Sequence, residues 1–414
     1  VIVQCFYERR AKNAGDTAGL HIGIFGRRNA GKSSFINAIT GQQIAIVDAT
    51  PGTTTDPVGK AMEIRGLGPV FIYDTAGIDD EGELGAKRVA RTRDIIKRIN
   101  LAVVITTYIG YNSSDDELIK ELKESGKEVV VFFNKIDVEA KDEQKEKPLK
   151  EMSIPYFSLS CTSGNNIEEA RQILIKIGSK ITVENATIIG DLISSGDFVV
   201  LVVPVDLGAP KGRLILPQVQ VIRDVLDNDA IPVVVKEREL QFAMSKLSTK
   251  PALVITDSQV ILKVAGDVPD DIKLSTFSIL FSRLKGDLSE FVKGVKAIDS
   301  LKDGDKVLIL EACTHHSQAD DIGRVKIPRW IRQYTGKNIE FEVNAGPYVD
   351  KDLKQYKLAI ACGGCMINRQ EMLSRIADCR SAGVPITNYG IAISYVQGVL
   401  KRVIEPFREI DKDN

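Results

Sequence analysis

The segment Gly26-Arg27-Arg28-Asn29-Ala30-Gly31-Lys32-Ser33 combines glycines, a lysine and a hydroxyl at the spacing of a loop that cradles phosphate. Glycine lets the backbone turn so that successive N–H groups point at phosphate oxygens, and a helix opening at Lys32 adds its partial positive charge. Lys32 would reach the β and γ phosphates, and Ser33 would give its hydroxyl to Mg²⁺. Asp74-Thr75-Ala76-Gly77 follows an apolar run, which puts a carboxylate behind the metal ion and the Gly77 amide against the γ phosphate. Asn134-Lys135-Ile136-Asp137 ends another apolar run. The Asp137 carboxylate would accept the pair of N–H bonds that guanine offers and adenine lacks, so the site selects GTP. Ser160-Cys161-Thr162 lies where a loop supporting the base is expected.

A second constellation gathers in the last quarter of the chain. Cys313-Thr314-His315 is followed, after 46 residues, by Cys362-Gly363-Gly364-Cys365. Each group comes directly after an apolar run, at the carboxyl end of an expected strand, where ligand crevices form in open α/β sheets. The intervening length suffices for a crossover returning to a neighbouring parallel strand, and the glycine pair permits the turn that brings Cys362 and Cys365 onto one ion or cluster. Three thiolates and an imidazole point to zinc or to iron and sulfur, and the residues alone leave both open. His316 is a less favoured alternative to His315. Cys5, Cys161 and Cys379 read as packing residues rather than ligands, and His21 as a strand residue.

Positioning these groups requires an α/β chain with more than one core. A length of 414 residues argues for two to four domains. His21 to Phe25, Val70 to Tyr73, Leu101 to Thr106 and Val129 to Phe133 read as buried strands, with helices at Lys32 to Ile39 and Asp116 to Glu124 between them. That alternation predicts a mostly parallel sheet. Lys141 to Glu151 reads as a solvated helix face or loop. A smaller α/β unit follows, with strands at Phe198 to Val203, Ile231 to Val235 and Leu253 to Ile255 and a helix at Pro217 to Leu226. Its Gly208 to Gly212 turn lacks phosphate-loop spacing. The third unit has strands at Lys306 to Leu310, Ile339 to Val343, Lys357 to Ala361 and Val384 to Ile386, and helices at Arg369 to Cys379 and Ala392 to Phe407. The expected limits are 1–18 for an N-terminal segment, 19–178 for the nucleotide domain, 179–265 for the middle domain and 266–414 for the metal domain.

The balance of 55 Lys plus Arg against 56 Asp plus Glu gives no global positive field for nucleic acid. No apolar run approaches the ~18 to 20 residues that cross a bilayer. Residues 1–18 lack the order of a secretory signal, and six cysteines are too few for a disulfide scaffold, so a reducing cytoplasmic setting is expected.

The order of the nucleotide motifs resembles the G1 to G5 series of the small GTPases. Asn29 within the loop, and Gly52-Thr53-Thr54-Thr55-Asp56 as a first switch, are most similar to the TrmE and Era branch. What that resemblance implies is a K⁺ ion held with the help of Asn29, and Thr54 as an Mg²⁺ ligand beside Ser33. Ile78 stands where a Ras-like chain has a water-positioning Gln, so hydrolysis would draw on K⁺, with Asp79, Asp80, Glu81 and Glu83 as further candidates. The expected GTP/GDP site comprises Gly26, Asn29, Ala30, Gly31, Lys32, Ser33, Ser34, Asp74, Gly77, Asn134, Lys135, Asp137, Ser160 and Cys161. Within it Lys32, Asn29, Thr54, Asp74 and Gly77 would carry catalysis.

Such a domain followed by CxHx46CxxC resembles the HydF family, the maturation GTPases of the [FeFe]-hydrogenases, with Glu311 to His316 and Ile327 to Trp330 adding to the likeness. The resemblance implies a [4Fe–4S] cluster on Cys313, Cys362 and Cys365, an exchangeable fourth iron position for which His315 is the less certain ligand, and a homodimer built on the middle domain. It further implies a carrier that takes a transient diiron precursor from the radical-SAM maturases HydE and HydG and passes it to the apo-hydrogenase HydA, with GTP as a switch. A rival reading is an RNA-associated GTPase of the TrmE or Era kind with a zinc-stabilised tail. Another is an iron–sulfur redox enzyme that GTP regulates.

Overall fold

The computed structural model describes residues 19–41, 59–75, 94–182, 187–204, 214–312, 321–346, 349, 351–364 and 367–407. The chain divides into two compact units, residues 1–185 and 186–414.

The first unit is one six-stranded sheet. Its strands are β1 (Leu20–Phe25), β2 (Lys60–Ile64), β3 (Gly68–Asp74), β4 (Leu101–Thr107), β5 (Glu128–Asn134) and β6 (Tyr156–Ser158), in the order β2-β3-β1-β4-β5-β6. All neighbours are parallel except β2 and β3. Strand β4 is buried along its whole length, the mark of a parallel strand covered on both faces. One face packs Phe35, Ile36 and Ile39 of helix Lys32–Thr40 with Leu174 of helix Ile167–Thr182. The other packs Phe25, Tyr73, Ile119, Leu122 and Phe133. His21 is a buried strand residue, its ring hydrogen-bonded to the Tyr73 hydroxyl at 3.0 Å and stacked on Phe71.

The second unit contains two four-stranded sheets, both wholly parallel. The first has β7 (Phe198–Val202), β8 (Ile231–Val235), β9 (Leu253–Thr256) and β10 (Lys273–Thr276) in the order β10-β9-β7-β8. Strand β10, beyond the expected middle-domain limit at 265, adds to this sheet through Lys273↔Leu253 to Thr276↔Thr256. The other sheet has β11 (Lys306–Glu311), β12 (Glu340–Ala345), β13 (Leu358–Ala361) and β14 (Ile386–Asn388) in the order β12-β11-β13-β14. One continuous apolar core runs from Ile188 to Phe407.

The departures from the sequence reading have local causes. Helix Ser113–Glu124 starts before Asp116 because Asn112 caps it, taking the Ser114 N–H while Asp115 accepts the Asn112 N–H. The charged stretch after Lys141 forms helix Glu143–Glu151, yet Glu146 turns inward and accepts bonds from the Tyr108 and Tyr156 hydroxyls at 2.7 and 3.0 Å. Instead of one helix over Ala392 to Phe407 there are two, Tyr389–Val396 and Leu400–Ile404, because the chain turns at Gly398 with φ of 74°. Among the described residues no helix is long and apolar enough to cross a membrane.

Candidate functional sites

In the first unit the carboxyl end of β1 runs into the loop from Gly26 to Gly31, and helix Lys32–Thr40 begins directly after it. Gly26 and Gly31 have φ of 138° and 97°, and added side chains would collide with the Ile105 carbonyl and the Asn134 amide. Glycine is required at both on two counts. Asn29 also has positive φ, 62°, at the exposed tip. Asparagine is one of the few residues at ease there, so its backbone preference alone suits this position. The Lys32 ammonium folds over the loop, donating to the carbonyls of Gly26 and Arg27, both at 2.9 Å. Ser33 and Ser34 are exposed at the opening of the helix, where its free N–H groups point outward.

The other motifs converge on the same edge. Asp74 ends β3 opposite Ile24, and the next residue, Thr75, donates its hydroxyl to the Ile24 carbonyl at 2.8 Å. Asn134 ends β5 with its side chain buried between two loops. Its Nδ2 donates to Ala30 O at 2.9 Å, and its Oδ1 accepts the Cys161 N–H at 3.0 Å. The amide thus ties the phosphate loop to the loop after β6. Lys135 has φ of 66°, Asp137 is exposed, and Ser160 is buried, accepting the Ser163 N–H. Burial, reinforced by the nearby Asp137 carboxylate, pushes the Cys161 thiol up to about 12. Thr54, Gly77, Ile78 and the acids Asp79 to Glu83 lie outside the described residues. Thr75 and the double tie through Asn134 were missed by sequence reasoning. Both residues stand in motifs read from the sequence, but these bonds run to carbonyls and an N–H group, which carry no side-chain signature.

In the second unit β11 and β13 are parallel neighbours in register, Leu310 opposite Ala361, and β14 continues the row with Asn388 opposite Ala361. The next residues, Glu311, Cys362 and Tyr389, therefore lie at one level of the sheet's carboxyl edge, with Glu311 still paired to Ala345 of β12. Cys362 is half-buried, and its sulfur accepts N–H bonds from Ala312 at 3.2 Å and from Gly364 at 3.4 Å. Ala312 immediately precedes Cys313 in sequence. Cys313, His315, His316 and Cys365 lie outside the described residues, and among the described residues no three candidate ligands gather. Cys379 is fully buried, and burial pushes its thiol up to about 12, as suits a packing residue.

Three cations hold the surrounding backbone. Buried Lys285, on helix Phe277–Lys285, donates to Gly364 O at 2.6 Å and Ile367 O at 3.0 Å. Buried Arg375 donates to Gly346 O at 2.6 Å and Glu311 O at 3.4 Å. Arg324 makes a two-pronged pair with the buried Glu311 carboxylate at 3.0 and 2.7 Å. Sequence reasoning missed all three, because a charge on an amphipathic helix reads as solvent-facing. Cationic groups around thiolates favour an anionic metal–sulfur group electrostatically. Two N–H donors already on the Cys362 sulfur suit it as a thiolate ligand.

The fold and the first site define a P-loop GTPase domain joined to two further parallel α/β sheets. Comparison with known proteins supports each part. Residues 21–135 match the family described as 50S ribosome-binding GTPase. Residues 188–286 match the hydrogen maturase F dimerization domain and 289–406 the hydrogen maturase F tetramerization domain, together more than half of the chain. The chain belongs to the hydrogen maturase F family, a hydrogenase maturase with a GTPase domain, and it carries that family's oligomerisation domains.

Among curated relatives, GTPase Der of Kosmotoga olearia is 32% identical over 190 residues, 42% of this chain and 42% of that protein. The tRNA modification GTPase MnmE of Bacillus velezensis is 35% identical over 165 residues, 39% of this chain and 36% of that one. The chain thus spans about two fifths or less of the length of these relatives. A solved structure of a probable GTP-binding protein engB covers 39% of this chain and 99% of its own, at 20% identity and a TM-score of 0.32.

Two substitutions separate the tie from the base contact. Asn134→Ala leaves Ala30 O and the Cys161 N–H unpaired and should lower stability by about 1–3 kcal/mol, read as an earlier calorimetric transition without nucleotide. Asp137→Ala, at an exposed position, should leave that transition within about 0.5 kcal/mol and weaken GTP binding by roughly 10- to 150-fold, the loss of hydrogen bonds to a charged acceptor.

Proposed function

We propose that this protein is a GTP-hydrolysing carrier. It would hold a [4Fe–4S] cluster on Cys313, Cys362 and Cys365, with His315 or an exchangeable ligand on the fourth iron. It would receive a diiron precursor from the radical-SAM maturases HydE and HydG and deliver it to apo-hydrogenase HydA. The observation that carries this reading is the register of β11 and β13, which sets Ala312, the neighbour of Cys313, against the Cys362 sulfur. Motifs far apart in sequence thereby start from adjacent points on one sheet edge. The cluster, when bound, supplies an iron position able to exchange ligands with cargo. This chain's residues supply the thiolates, the buried cations that balance their charge, and a backbone fixed by Lys285 and Arg375.

The GTPase reading rests on the cradle from Gly26 to Gly31 with Lys32 above it, Ser33 at the Mg²⁺ position and Asp74 behind it. Asn29 would hold K⁺ against the phosphates, where the cation stabilises charge developing in transfer. Nucleotide state would then bias affinity for the maturases and the hydrogenase. A coupling of ~1–3 kcal/mol, roughly 5- to 150-fold, suffices for a switch. The relatives named for tRNA modification and ribosome binding match the GTPase part, whereas the remainder matches hydrogen maturase F. The carrier reading is therefore preferred over an RNA-associated one, and it places the protein in the cytoplasm.

Homodimerisation would use strand β8, an edge of its sheet, which exposes Ile231 and Val234 near the exposed side chains of Val219, Leu226 and Phe242 on the same domain.

Three measurements test these assignments. Anaerobic reconstitution should give iron and sulfide with a cluster signal in electron paramagnetic resonance, and Cys362→Ser should lose most of it. Zinc without sulfide would refute the cluster. Asn29→Gly keeps a residue that tolerates φ of 62° while removing the amide. It should bind GTP yet hydrolyse it equally fast in K⁺ and Na⁺, whereas the parent is faster in K⁺; equal parental rates would remove K⁺ from the site. Val234→Lys should shift light-scattering mass toward smaller species, and an unchanged mass would move the interface elsewhere.

A further inference from the structure

The Tyr389 hydroxyl is closed off from solvent and makes no hydrogen bond among the described residues. A buried hydroxyl left without a partner costs on the order of 1–3 kcal/mol, so its position calls for an account. The sheet register supplies one. Tyr389 is the first residue after β14, one step past Asn388, just as Cys362 is one step past Ala361 in the same row. The backbone of helix Tyr389–Val396 is fixed by Asn388, whose side chain accepts the Ile391 N–H at 2.9 Å.

The ring is therefore anchored, and its hydroxyl sits against Gly323 in the turn Ile322–Lys326. A side chain at Gly323 would approach within 1.9 Å of the phenol oxygen, so glycine there keeps a seat for that hydroxyl. Gly323 adjoins Arg324, the partner of Glu311, and Glu311 is followed by Ala312, whose N–H reaches the Cys362 sulfur, so the phenol belongs to the groups at the carboxyl ends of β11 and β13. Arg324 already engages Glu311 through two nitrogens. The hydroxyl is thus anchored on the sheet edge that carries Cys362, with a proton to give.

We propose that Tyr389 is a positioning residue of the metal–sulfur site, donating its O–H to a sulfur of the bound group, either the Cys362 thiolate or an adjacent inorganic sulfide. This rests on the cluster reading above. A hydrogen bond to sulfur draws off electron density and favours the more reduced, more negative state, so it raises the reduction potential and slows loss of iron. Because the phenol has no partner among the described residues, removing its oxygen takes no hydrogen bond from them.

The experiment compares the full-length protein with Tyr389→Phe, each with and without iron and sulfide reconstituted anaerobically. The expected result has three parts: unchanged or slightly higher stability of the metal-free variant, a midpoint potential shifted to more negative values in a redox titration followed by electron paramagnetic resonance, and iron release to a chelator faster by on the order of 10-fold. Equal potentials and equal release rates with the cluster intact in both proteins would overturn this inference while leaving the carrier reading standing. A clear loss of stability in the metal-free variant would also overturn it, since the hydroxyl would then have a partner within the protein. Failure of the parent protein to assemble any cluster would overturn both.

Discussion

Parallel register at the end of a sheet is the constraint from which the cysteine site follows. With Leu310, Ala361 and Asn388 in one row, the next residues of three strands must emerge together. The Cys362 N–H still bonds the Leu310 carbonyl, whereas the N–H groups of Ala312 and Gly364 lie beyond the ladder and are open to other acceptors. At Ala312 and Gly364 that unused donor capacity falls on the Cys362 sulfur. N–H donors aimed at a sulfur complement the charge it carries as a metal-bound thiolate, as the frayed amino end of a helix complements an anion. Lys285 and Arg375 then occupy the carbonyls that the same loops leave open, so the backbone around the sulfur is satisfied by cations.

The nucleotide site uses the same logic in a separately packed unit. Here the strand ends are those of β1, β3 and β5, and the free donors belong to the phosphate loop and the helix behind it. The tie that keeps them in place is the Asn134 amide, which spends its donor on the Ala30 carbonyl and its acceptor on the Cys161 N–H. One uncharged side chain thereby ties the Gly26 to Gly31 loop to the loop after β6. Asp137, three residues further on, stays exposed and available for a base. The division of labour is physical: the buried amide is fully satisfied inside the protein, while the carboxylate keeps its lone pairs for something arriving from solvent.

Much of this was legible in the sequence because fully buried parallel strands are written as unbroken apolar runs. Strands β4, β5, β11 and β13 could be placed from composition alone, and with them the motifs at their carboxyl ends. What stayed hidden has a common cause. Strand β2, Lys-Ala-Met-Glu-Ile, is an edge strand with one solvated face, and β10, Lys-Leu-Ser-Thr, buries polar side chains, so neither stands out as an apolar run. Lys285, Arg375 and Glu146 are charges turned inward, and no local pattern distinguishes them from charges turned outward. The break at Gly398 depends on a left-handed turn that a helix-period count passes over.

Those inward charges bear on what the carboxyl-terminal sheet is built to do. Burying a lysine and an arginine costs desolvation, and backbone carbonyls are among the acceptors that offset it here. A fold meant only for stability would replace such groups by apolar side chains at little loss. Retained around the loop of a half-buried cysteine, they attract an anionic group that binds there, because cations near a site favour its negatively charged occupant. On that argument loading raises stability by more than the ligand bonds alone would give, and a partner that removes the cargo must overcome the electrostatics of the site as well as its thiolates.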